Sequence, residues 1–144
     1  MKSLTIGSLI CTAAQAVLIG QLASTYAAID ARACTTGDQA CPAVLRMAKG
    51  ATSVTGTGNV SGTNPDYYFK FNARAGQKLT IKVVGGNIKT GPGIPITLPN
   101  GGGDAVDENT PYTLPATGDY VIDMHANTMS EGPFGRFTVT LTII

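Results

Sequence analysis

The sequence predicts an all-β protein, an antiparallel β-sandwich of about seven to eight strands with a jelly-roll-like character. Three observations lead there. The 144-residue chain carries 18 Gly and 8 Pro, no Trp and only 13% charged residues, a mixture that suits strands and turns better than long helices. From Ala51 onward the apolar residues recur mostly at period two, the mark of strands with one buried face. These segments also follow one another without a helical crossover, which favours antiparallel pairing and closure as a sandwich or barrel.

The C-terminal strand is the clearest. Phe137, Val139, Leu141 and Ile143 alternate with Thr138, Thr140 and Thr142, so the inward face is unambiguous. Tyr67, Phe69, Phe71 and Ala73 alternate with Tyr68, Lys70 and Asn72, and Leu79, Ile81 and Val83 alternate with Thr80 and Lys82. Arg74-Ala75-Gly76-Gln77 between these two runs reads as a hairpin turn, with Gly76 free to take positive φ. A further pair, Pro111 to Pro115 and Tyr120 to Met124, is joined by Ala116-Thr117-Gly118-Asp119 and puts Tyr120, Ile122 and Met124 inside. The Gly- and Pro-dense stretch 85–107 allows a central strand only around Ile94 to Leu98. Residues 126–135 form a long polar loop, the kind of place where binding function sits. Cys41 to Lys49 is expected to make a helical turn or two, or an irregular arm.

The N-terminus reads as an export signal. Lys2 opens it, Leu4 to Leu22 carry no charge, and a small-residue stretch follows, the layout of a secretory signal peptide. Gly7, Gln15, Gly20 and Gln21, with no flanking basic cluster, argue against a retained transmembrane anchor. Cleavage is expected after Ala27, with Ala33 as the alternative, leaving no stable membrane anchor. Cys11 lacks the preceding small residue that lipid attachment wants. The predicted organisation is a signal peptide over residues 1–27, an N-terminal arm over 28–50 and a sandwich domain over 51–144, in a periplasmic or secreted protein. In such an oxidising compartment Cys34 and Cys41 read as a disulfide, whose small loop contributes about 2 to 3 kcal/mol.

Chemistry-bearing patterns are sparse. Ten Lys plus Arg against nine Asp plus Glu give a formal charge of +1, so no basic stripe exists to follow a nucleic-acid backbone. His125 is the sole histidine; it shares a strand face with Asp123, but Val121 on that face and the apolar residues opposite mark it as the solvated one. No G-x-S-x-G elbow is present, and the expectation is a non-enzyme without a cofactor. Asp104, Asp107 and Glu108 follow three glycines and are weak calcium candidates that match no complete loop pattern. Tyr68 and Phe134 are the aromatic residues expected to point outward.

The order of KGATSVTGTGNVSG, DYYFKFNARAGQKLTIKV, GPGI, YTLPATGDYVIDM and FTVTLTI resembles the periplasmic inhibitors of goose-type lysozyme and their uncharacterised secreted relatives. It spans about Arg46 to Ile144. The AGQKL and LPATGDY turns are also similar to the pre-peptidase C-terminal type of secreted β-sandwich. The resemblance implies a rigid sandwich that projects loops into the glycan cleft of a host or competitor lysozyme. The family's SG-x-Y-like element matches Thr117, Gly118, Asp119 and Tyr120, with Thr in place of Ser; the same residues also suit plain turn architecture. An earlier copy falls at Thr57-Gly58-Asn59-Val60, without the tyrosine. His125 at the root of the loop from Ala126 to Arg136, and Asn127, Ser130 and Arg136 of that loop, are further inhibitor-loop candidates. The loop also carries Glu131, and ten basic residues less Lys2 leave nine against nine acidic, so long-range steering toward an acidic cleft is weak. The alternative function is a non-catalytic envelope or adhesion module binding glycan or calcium. An exposed edge strand leaves the oligomeric state open.

Overall fold

The computed structural model describes residues 34–144; the expected signal peptide over residues 1–27, both expected cleavage positions and Cys11 lie outside the described residues. Among the described residues nine strands form: β1 (Ala43–Leu45), β2 (Ser53–Val60), β3 (Asp66–Ala73), β4 (Lys78–Gly85), β5 (Ile94–Thr97), β6 (Gly103–Val106), β7 (Tyr112–Thr113), β8 (Gly118–His125) and β9 (Gly135–Ile143). They make a five-stranded sheet in the order β1-β3-β8-β5-β6 and a four-stranded sheet in the order β2-β9-β4-β7. The all-β sandwich expectation therefore holds. All pairings are antiparallel except β1 with β3.

Sequence alternation dictates which side chains meet between the sheets. Phe69, Phe71 and Ala73 of β3, Tyr120, Ile122 and Met124 of β8, and Ile94 and Ile96 of β5 are buried from one side. Phe137, Val139, Leu141 and Ile143 of β9, with Leu79 and Ile81 of β4, are buried from the other. The inward positions of β2 include Gly56 and Gly58, and this explains the TGTG run. A Cβ at Gly58 would lie 2.6 Å from the Phe137 ring, and one at Gly56 would lie 2.6 Å from Leu45 and 2.8 Å from Phe69. The glycines leave room for a cluster in which Phe137 meets Tyr67 and Phe69 edge-on, at centroid separations of 5.7 and 6.0 Å, a favoured aromatic geometry.

The connectivity corrects two readings of the turns. β3 pairs with β8, and β4 pairs with β9 and β7, so Arg74-Ala75-Gly76-Gln77 is an arch from one sheet to the other, not a hairpin. The link from β7 to β8 is a second such arch. A tight Gly turn serves both purposes; what decides is that β3 and β4 each have one apolar stripe, and crossing the core lets the two stripes face each other. The arches support one another: Gly76 N donates to Leu114 O at 2.8 Å and Leu114 N to Gln77 O at 2.8 Å. Only β5 and β6 pair as consecutive strands.

Two strands lie where none was expected. β1 occupies the stretch read as a helical turn or irregular arm, pairing Ala43 to Leu45 with Phe69 to Phe71. β6 forms within the glycine-rich stretch at the sheet edge, where poor strand formers are tolerated. Cys34 and Cys41 are disulfide-bonded, and their loop extends the β3 edge, since Tyr68 N donates to Gly37 O at 2.7 Å.

Candidate functional site

Strand β8 divides the candidate residues into two groups. Its eight residues put its ends about 23 Å apart at roughly 3.3 Å per residue. Thr117, Gly118, Asp119 and Tyr120 stand at one end, and His125, Asn127 and Ser130 at the other.

The first group is engaged within the fold. Thr117 Oγ1 accepts from Ala75 N at 3.0 Å, tying the two arches together. Gly118 has φ +147°, and a Cβ there would lie 2.8 Å from Pro99. Asp119 accepts from Asn72 Nδ2 at 2.9 Å and has Lys70 Nζ at 3.7 Å. Tyr120 is fully buried; its ring stacks on Phe71, its hydroxyl donates to Ala116 O, and it accepts from Ala116 N at 3.1 Å.

At the other end, the loop between β8 and β9 lies beside the loop between β4 and β5. Ile88 bridges to Ala126, and Lys89 N donates to His125 O at 2.7 Å. Asn87, at φ 52°, clasps the longer loop. Its carbonyl accepts from Asn127 N at 2.8 Å, and its amide donates to Asn127 O at 3.2 Å and Ser130 Oγ at 3.1 Å. Ser130 N closes a turn on Asn127 O at 3.1 Å. Phe134 packs against the core instead of pointing outward, because it seals the loop's return to β9. Arg136, opposite Asn59 in the register, is exposed on β9 next to Tyr67.

Where β8 meets this end, the outer face of the five-stranded sheet carries a polar trough. The register sets Asp66 opposite His125 and Tyr68 opposite Asp123. His125 Nδ1 hydrogen-bonds Asp66 Oδ1, so the histidine's partner comes from the neighbouring strand and not from Asp123 on its own. Asp123 Oδ1 is buried without a hydrogen-bond partner. Burial raises the pKa of Asp123, the nearby Asp66 charge raises it further, and His125 opposes them. Burial also raises the Tyr68 phenol, reinforced by Asp123 and Asp66. Pro95 and Ala105 continue the trough toward β6.

Two of the acidic trio, Asp104 and Glu108, are engaged in separate hydrogen bonds. Asp104 accepts from Tyr112 Oη at 2.6 Å, a bond that lowers the pKa of the acid and pushes that of the phenol up to about 12. Glu108 Oε1 accepts from Val83 N at 2.9 Å. Among the described residues no group of three His, Cys, Asp or Glu side chains is placed to hold a metal ion. Asp66 and Asn87 escaped the sequence reading, since neither role shows without the β3–β8 register or the neighbouring loop; Gly85-Gly86-Asn87 signals only a turn.

No protein-family model and no curated protein sequence matches the chain. Among solved structures, PliG of Aeromonas hydrophila, a periplasmic lysozyme inhibitor of g-type lysozyme, is similar with a TM-score of 0.56 and 24% identity, over 76% of this chain and 96% of that one. PliG of Salmonella Typhimurium is similar with a TM-score of 0.57 and 19% identity, over 78% of this chain and 100% of that one. A PliG mutant from Escherichia coli gives 0.56 and 18%, over 71% and 96%. The chain shares its fold with these periplasmic inhibitors of g-type lysozyme.

Proposed function

We propose that the protein is an exported, periplasmic or secreted, inhibitor of goose-type lysozyme that presents the β8–β9 loop to the enzyme's cleft. The observation that carries the reading is the shared sandwich, which spans 96% to 100% of the three inhibitor chains. A plug has to resist remodelling by the enzyme it enters, and a loop ordered in advance loses little entropy on binding. The clasp by Asn87 supplies that order. Asn127, Ser130 and Arg136 offer donors to a cleft lined by carboxylates and sugar-binding groups, and His125 with Asp66 supports the loop's root. Thr117 to Tyr120 serve the arches. With nine basic and nine acidic residues after loss of Lys2, affinity comes from short-range fit, so the association rate has a shallow salt dependence. The test is titration of goose-type and chicken-type lysozymes with the mature protein. Stoichiometric inhibition of the goose-type enzyme is expected, and none at micromolar concentration would remove the reading.

A second reading has one observation in its favour. The unpartnered Asp123 Oδ1 beside Tyr68 suits a hydroxyl donor stacked on an aromatic ring, as in a glycan-binding envelope module. Calorimetry with peptidoglycan fragments, repeated on Asp123→Asn, tests it; heat that disappears in the variant supports it, and no heat with wild type excludes it.

A further inference from the structure

Met129 stands at the apex of the β8–β9 loop with 96% of its surface exposed, against 51% to 67% for Val44, Val84 and Ile144. Exposed apolar side chains are common singly, but this one has an unusual mount. It occupies a central position of the turn closed by Ser130 N on Asn127 O at 3.1 Å. Both ends of that turn are held by the Asn87 amide. Upstream, Ala126 is buried; downstream, Phe134 packs on the core. The thioether is thus held away from the body of the protein on a backbone fixed at both sides.

We propose that Met129 is the apolar anchor of the inhibitory loop, inserting into an apolar depression on the wall of the target enzyme's cleft. This rests on the inhibitor reading above and names the chemistry of the partner surface. Methionine is enriched at interface cores, and its unbranched, polarizable chain adapts to irregular hollows. Fixing the surrounding backbone in advance leaves few rotors to freeze on docking. Asn127 and Ser130 flank the thioether with hydrogen-bonding groups, and Glu131 follows, so the complementary surface is apolar at its centre, polar at its rim and not acidic beside Glu131.

The experiment compares inhibition of goose-type lysozyme by wild type, Met129→Leu, Met129→Gln and Met129→Ala. Val44→Ala, which truncates an exposed apolar residue on β1, serves as the control. Thermal melts establish that every variant is folded. Gln keeps the length of Met and removes its apolar character. Expected are inhibition constants roughly 10- to 100-fold weaker for Gln and Ala, within a few-fold of wild type for Leu, and unchanged for Val44→Ala. Wild-type inhibition retained in full by Gln and Ala overturns the anchor and leaves the inhibitor reading standing. Absence of inhibition by wild type itself overturns both.

Discussion

Replacing Tyr120 by Phe separates architecture from recognition in the Thr117-Gly118-Asp119-Tyr120 element. The substitution keeps the ring that stacks on Phe71 at 5.4 Å with planes 12° apart and removes only the hydroxyl. That hydroxyl accepts from Ala116 N at 3.1 Å and donates to Ala116 O, so two main-chain groups in the arch lose their partner. A hydrogen bond contributes about 0.5 to 1.5 kcal/mol net. Ala116 is half-buried, so water replaces part of the loss, and the expected destabilisation is about 2 kcal/mol. For a domain of this size, near 110 residues, that lowers Tm by roughly 8 °C. Urea unfolding measures the stability, with an unchanged m-value indicating that the native and unfolded states keep their relative compactness. Titration of goose-type lysozyme with the same variant measures recognition. Lower stability with intact inhibition is expected. Unchanged stability with lost inhibition would refute the reasoning and make this turn the recognition element.

Three further predictions follow from the packing and charge. Gly58→Ala puts a Cβ 2.6 Å from the Phe137 ring, and this overpacking is expected to cost about 1 to 3 kcal/mol in chemical unfolding; a neutral effect would mean the aromatic cluster is loosely packed. The raised pKa of Asp123 means that the native state binds its proton more tightly than the unfolded state does, so ionisation weighs against folding at neutral pH and stops doing so below the ordinary carboxylate range near pH 4. Asp123→Asn should therefore raise Tm at neutral pH, with the gain shrinking on acidification; a loss of stability at neutral pH, or a gap independent of pH, contradicts this. Asn87→Ala removes the amide bonds to Asn127 and Ser130 and should weaken lysozyme inhibition several-fold by loosening the loop, whereas equal inhibition would show that the clasp has no part in binding.

Strand periodicity was legible where both faces of a strand have distinct fates. Phe137 to Ile143, Tyr67 to Ala73 and Leu79 to Val83 all read directly from alternation, because burying one face imposes period two on the sequence. β1 escaped because Ala43-Val44-Leu45 is too short to display a period, and it is held by its parallel edge pairing with β3. β6 escaped because a four-residue edge strand opening on Gly103 needs no apolar face beyond Val106. Turn chemistry at Gly76 and Gly118 located both bends correctly, yet it does not encode whether the chain returns in the same sheet or crosses to the other. The Asp66–His125 pair and the Asn87 clasp have the same origin: each joins residues distant in sequence whose proximity follows from the register between strands or the packing of two loops.

The account is tested most directly by an equimolar titration of goose-type lysozyme with the protein lacking residues 1–27, run beside a variant carrying Asn127→Ala, Ser130→Ala and Arg136→Ala together. Stoichiometric loss of lytic activity with wild type, and recovery of activity with a variant that melts like wild type, is the predicted result. Full lytic activity in the presence of wild type, or inhibition undiminished in the triple variant, would contradict the placement of the inhibitory surface at this end of the sandwich.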